Sequence, residues 1–97
     1  MSQTETSQTK HNHIEIYSTA ICPYCVAAKN FLVSRGLTYD EVRIDRDRAQ
    51  FETMLKRAKG ARSVPQIFIN DRHVGGYTDL IQLHQSGELD SWLTPTA

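Results

Sequence analysis

A chain of 97 residues has room for one domain and one modest hydrophobic core. Eleven Lys and Arg balance eleven Asp and Glu, so no net field draws the chain to nucleic acid or a membrane surface. No apolar run approaches the roughly 18 residues of a membrane span, and the opening MSQTETSQTKHN lacks the apolar segment of a secretory signal. The expected location is the cytoplasm, where two cysteines point to catalysis or metal binding rather than to a structural disulfide.

Residues 1–12 are nearly all polar, with nothing to bury, and are expected to form a disordered tail ahead of one domain over 13–97. His13 to Tyr17 alternates around Ile14 and Ile16, which predicts a first strand. Pro23 opens a helix that runs to about Arg35, with Ala27, Phe31 and Leu32 on its inner face and Gly36 closing it. Leu37 to Ile44 predicts a second strand. Phe51, Met54, Leu55 and Ala58 share one face of a second helix, which Asp47 can cap and Gly60 can end. Gln66 to Asn70 is a dense apolar strand. Asp71 and Arg72 then turn into a short fourth strand, His73 to Gly76. A third helix starts at Tyr77 with Thr78 as its N-cap. A last helical piece over 88–93 carries Leu89, Trp92 and Leu93 on one side.

The order β-α-β-α-β-β-α predicts an α/β fold with a four-stranded mixed sheet and helices on both faces. Strands one and two, joined through a helix, should be parallel, and strands three and four antiparallel.

The only two cysteines, Cys22 and Cys25, stand in CPYC where the first strand gives way to a helix. The first turn of a helix offers unpaired N–H groups and the positive end of the macrodipole, and both favour a thiolate. Cys22 is therefore the expected attacking thiol. Cys25, one turn further in, suits the resolving role. Pro23 stiffens the turn, and Tyr24 lies beside Cys22. Zinc would need two more ligands, and none of His11, His13, His73 and His84 shows ligand spacing to another, so no metal is expected.

The sequence resembles the glutaredoxins over about residues 13–93. Four landmarks carry the likeness: CPYC after the first strand, Ser63–Val64–Pro65 before the third, Gly75–Gly76 after the fourth, and YTDL opening the next helix. Their order and spacing match the small dithiol members. The resemblance implies the thioredoxin fold and a thiol–disulfide oxidoreductase that uses glutathione as co-substrate on glutathionylated or disulfide-containing proteins. It also implies a monomer that needs neither nucleic acid nor membrane. Pro65 should follow a cis bond packed on the CPYC loop. Tyr24, Ser63, Val64, Pro65, Gly76, Tyr77, Thr78 and Asp79 should hold glutathione. Within that set the Val64 backbone pairs with its cysteine, Thr78 takes its γ-glutamyl carboxylate and Asp79 its ammonium.

One position departs from the pattern. Many relatives carry Lys three residues before the first cysteine, where this chain has Thr19. A weaker hold on glutathione is expected, unless Arg57, Lys59 or Arg62 supplies a cation. Two other readings stay open: a [2Fe–2S] carrier ligated through Cys22 and glutathione, and a redoxin reduced by thioredoxin reductase.

Overall fold

The structure is a computed structural model and describes residues 12–93. The expected tail lies almost wholly outside the described residues.

β1 (Ile14–Ser18) forms the middle of a four-stranded sheet ordered β2-β1-β3-β4. It pairs parallel with β2 (Asp40–Arg43) and antiparallel with β3 (Gln66–Ile69). The β1–β2 crossover runs through α1 (Pro23–Ser34), and α2 (Arg48–Arg57) connects β2 to β3. β3 and β4 (Arg72–Gly75) make an antiparallel hairpin. Its turn is built on Asn70 and Asp71, both with positive φ (51° and 69°), one residue earlier than the expected Asp71–Arg72. Both residue types tolerate the left-handed region, and such turns match strand twist. α3 (Tyr77–Ser86) and α4 (Leu89–Trp92) follow.

Alternation along the strands splits the core between the two faces of the sheet. Ile14 and Ile16 of β1 with Ile67 and Ile69 of β3 pack on Ala28 and Leu32 of α1, Leu80 of α3 and Leu89 of α4. Tyr17 and Phe68 pack on Met54 of α2 and Ala58 just beyond it. The sheet therefore carries helices on both faces, as the element order predicts.

Three boundaries differ from expectation. The buried stripe of α1 is Cys25, Ala28 and Leu32, so Ala28 takes the place expected for Ala27. This stripe follows the i, i+3, i+7 rule from Cys25, which is itself core. β2 is shorter than Leu37–Ile44, because Leu37 and Tyr39 pack against the first core cluster and do not extend the ladder. The third helix is capped by Gly76, not Thr78. Asp79 reaches back to the Gly76 N–H at 2.9 Å, which fixes the start of the helix two residues before Thr78.

Candidate active site

Cys22 is the N-cap of α1, in extended conformation with φ −155° and ψ 98°, and Pro23 follows at N1. Its Sγ accepts the Cys25 N–H at 3.1 Å, and its carbonyl accepts Val26 N–H at 3.1 Å. A sulfur here meets the unpaired donors and positive dipole end of a three-turn helix. Cys22 and Cys25 form a disulfide, with Cα atoms 5.2 Å apart. Cys25 is only 1% exposed while Cys22 is half-buried, so an incoming thiol or disulfide reaches Cys22 first.

The approach to Cys22 is held from the sheet. Asp45 accepts Ala20 N–H at 3.1 Å and takes Arg43 in a two-point pair at 2.8 and 2.7 Å. The Arg43 guanidinium keeps the Asp45 carboxyl well below the usual carboxylate range. Further up β2, Glu41 accepts from Lys29 at 2.8 Å and from the buried Ser18 hydroxyl at 2.6 Å. Those two bonds lower its pKa.

Across from the cysteines runs the segment before β3. The Val64–Pro65 bond is cis, as expected. Val64 O lies 3.7 Å from Cys22 Sγ. Strand register explains the meeting: Tyr17 pairs with Gln66, which brings the exit of β1 beside the entry of β3.

An open groove of ≈ 470 Å³ begins here. Tyr24, Ser63, Val64, Pro65, Gly76, Tyr77, Thr78 and Asp79 all line it, so the structure brings together every residue that the sequence assigned to one ligand. Tyr24 is 64% exposed, and its ring stacks on Tyr77 with centroids 5.9 Å apart, which joins the CPYC turn to the start of α3. Gly75 has φ +116°, and a Cβ there would meet the Asp79 carboxylate. Glycine takes this φ without strain and leaves the Asp79 carboxylate its place.

The groove also holds Gln66 and His73, which the sequence did not single out. Burial lowers the pKa of His73, and the charge of Lys59 lowers it further. Of the three cations considered for Thr19's missing charge, Arg57 is committed elsewhere. It pairs with Glu15 at 2.9 Å, donates to Tyr17 Oη at 3.0 Å and lies over Phe68 at 4.1 Å. Arg62 lies over the Phe51 ring at 5.4 Å. The charges of Lys59 and, more weakly, Arg57 both act on the groove residue His73.

Among the described residues, His13, Glu15 and Asp71 are close enough to share a metal ion. That set contains neither cysteine, and Arg57 already pairs with both of its carboxylates.

A dithiol pair on a helix N-terminus, facing a cis-proline segment on a mixed sheet, defines a thioredoxin-fold thiol–disulfide oxidoreductase. The glutaredoxin family model matches residues 14–74. The chain is 46% identical over 83 residues to a glutaredoxin of Neisseria meningitidis, covering 84% of this chain and 96% of that one. It is likewise 46% identical over 81 residues to glutaredoxin 3 of Escherichia coli, covering 84% and 96%. The buckwheat glutaredoxin–glutathione complex superposes with a TM-score of 0.75 at 26% identity, over 94% of this chain and 84% of that one. The chain belongs to the glutaredoxin family. No helix among the described residues is long and apolar enough to cross a membrane.

Proposed function

We propose that the protein is a glutathione-dependent reductase of protein–glutathione mixed disulfides and of protein disulfides, acting as a monomer in the cytoplasm. The observation that carries this reading is the groove beside Cys22, whose walls contain the full set of residues expected to hold glutathione. The glutathione complex of the buckwheat relative supports it.

In the monothiol route the Cys22 thiolate attacks the glutathione sulfur of a mixed disulfide. The Cys22–glutathione S–S bond forms, the substrate S–S bond breaks, and the substrate leaves as a thiolate that takes a proton from water. A second glutathione thiolate then attacks the bound glutathione sulfur. Oxidised glutathione departs, and Cys22 is again a thiolate. In the dithiol route Cys22 attacks a protein disulfide, and Cys25 resolves the mixed disulfide to give the Cys22–Cys25 bond. The helix N-terminus serves both routes, because it favours Cys22 as thiolate and as leaving group.

Within the groove, the Val64 backbone would pair with the cysteine of glutathione as a short added strand. The N–H groups at the start of α3, including Thr78, would take the γ-glutamyl carboxylate, and Asp79 its ammonium. Pro23 and Tyr24 shape the Cys22 side.

The test is reduction of a glutathionylated peptide, coupled through glutathione reductase to NADPH. Activity should vanish in Cys22→Ser and persist in Cys25→Ser. An inactive wild type that turns over with thioredoxin reductase instead of glutathione would overturn the reading.

A further inference from the structure

Gln66 is a buried polar residue, at 3% exposure, and sits directly after the cis-proline. Its amide is fully used. Nε2 donates to Ser63 O at 3.0 Å and to Ser63 Oγ at 3.3 Å. The Ser63 carbonyl can only accept, so the NH₂ end must point there, and Oε1 faces His73 Nε2 at 2.7 Å. His73 must then carry its proton on Nε2 and donate. The imidazole is held in turn by stacking on Phe68, with centroids 4.9 Å apart.

This contact depends on an irregularity. The β3–β4 ladder pairs Ile67 with Gly75 but Phe68 with His73, so β4 carries an extra residue, Val74. The bulge sets His73 opposite Phe68, on the face of β3 that also carries Gln66. A chain of contacts thus runs from the edge strand through Gln66 to the Ser63 carbonyl. Val64, the next residue, lies against Cys22 Sγ.

We propose that His73 and Gln66 are positioning residues that hold the Ser63–Val64 backbone at the height where it faces Cys22 and receives glutathione. This rests on the glutathione reading above for its ligand. Neither side chain attacks sulfur. They act through the main chain of Ser63 and Val64, whose own segment is a loop that no ladder pairs.

The test uses the full chain in two arms. The first is backbone ¹⁵N relaxation, read as order parameters, at Ser63 and Val64. The second, in a Cys25→Ser background, is the ratio of Cys22 reaction rates with oxidised glutathione and with hydroxyethyl disulfide. Loss of one neutral hydrogen bond should lower the order parameters of Ser63 and Val64 in His73→Ala, with those of α1 unchanged, and lower the ratio about fivefold. His73→Gln, which restores an N–H donor, should return both. Gln66→Ala should act alike, and the double variant should be no worse than either single one.

Unchanged order parameters in His73→Ala would overturn the proposal, whatever the ratio does, since a fall in the ratio alone would mean direct contact with the ligand. Additive losses in the double variant would also overturn it. His73 is only partly buried, so His73→Ala carries the test even if Gln66→Ala does not fold. A wild type with no preference for oxidised glutathione would instead overturn the glutathione reading, and the relaxation arm would still decide the positioning role.

Discussion

Asp79 Oδ2 accepts the Gly76 N–H at 2.9 Å, so the carboxylate proposed to bind an ammonium also caps its own helix. The two roles separate by substitution. Asp79→Asn keeps an acceptor for the cap and loses the charge. The KM for glutathione should rise about tenfold with little change in melting temperature, as expected for one lost charge-assisted bond. Asp79→Ala should show the same rise and in addition lose about 1 kcal/mol of stability from the cap. Coupled kinetics and urea unfolding of both variants check this. Equal KM values in Asp79→Asn and wild type would remove Asp79 from the ligand site.

Gly75 backs the same carboxylate. Its φ of +116° and the proximity of Asp79 leave no space for a side chain. Gly75→Ala should cost about 1–3 kcal/mol in urea unfolding through backbone strain. It should also raise the KM for glutathione, because Asp79 has to move. A variant with native stability would show that the hairpin end can relax.

His73 gives the stability a pH dependence of known sign. Its folded pKa lies below the usual 6.5, chiefly through burial, then through Lys59 and Arg57, with Asp79 acting the other way. The unfolded chain therefore binds the proton first. The stabilising contribution is complete above pH 6.5 and is lost as pH falls from there through the lowered folded value. His73→Gln keeps the hydrogen-bond donor but does not titrate. Urea midpoints of wild type and variant should run parallel above pH 7 and converge or cross as pH falls toward 5. Parallel curves across the whole range would rule out this assignment.

Thr19 directly follows β1, three residues before Cys22. Thr19→Lys adds a cation on the approach to Cys22. Coulomb attraction of about 1 kcal/mol in a water-like setting would lower the Cys22 pKa by roughly half a unit to one unit. The KM for glutathione should fall as well. Alkylation rate against pH reads the first effect, and steady-state kinetics the second.

The chemistry of this protein was legible where one residue decides the local outcome. Cys22 before Pro23 is a cap whatever the rest of the chain does, and Asp47 caps α2 by accepting Ala49 N–H at 3.0 Å. The core of the strands followed from alternation. What stayed hidden depended on partners distant in sequence or on register. Leu37 and Tyr39 extend an apolar pattern, yet they are used for packing and not pairing. Thr78 has the right chemistry for a cap but loses to Gly76, because Asp79 stands at N3 from Gly76 and would stand only at N1 from Thr78, two positions too early to reach back. The contact between Gln66 and His73 rests on a one-residue bulge, which no local pattern in either strand announces.

The ladder between Tyr17 and Gln66 has a consequence for what survives partial unfolding. The cysteines are neighbours in the chain and keep their reactivity wherever the first turn of α1 persists. The wall that faces them comes from a segment 42 residues away, and its position depends on β1–β3 pairing at the sheet's centre. A damaged or partly opened molecule would still exchange disulfides, but without the proposed preference for glutathione. Reactivity here is a local property of a few residues, and selectivity is a property of the whole sheet.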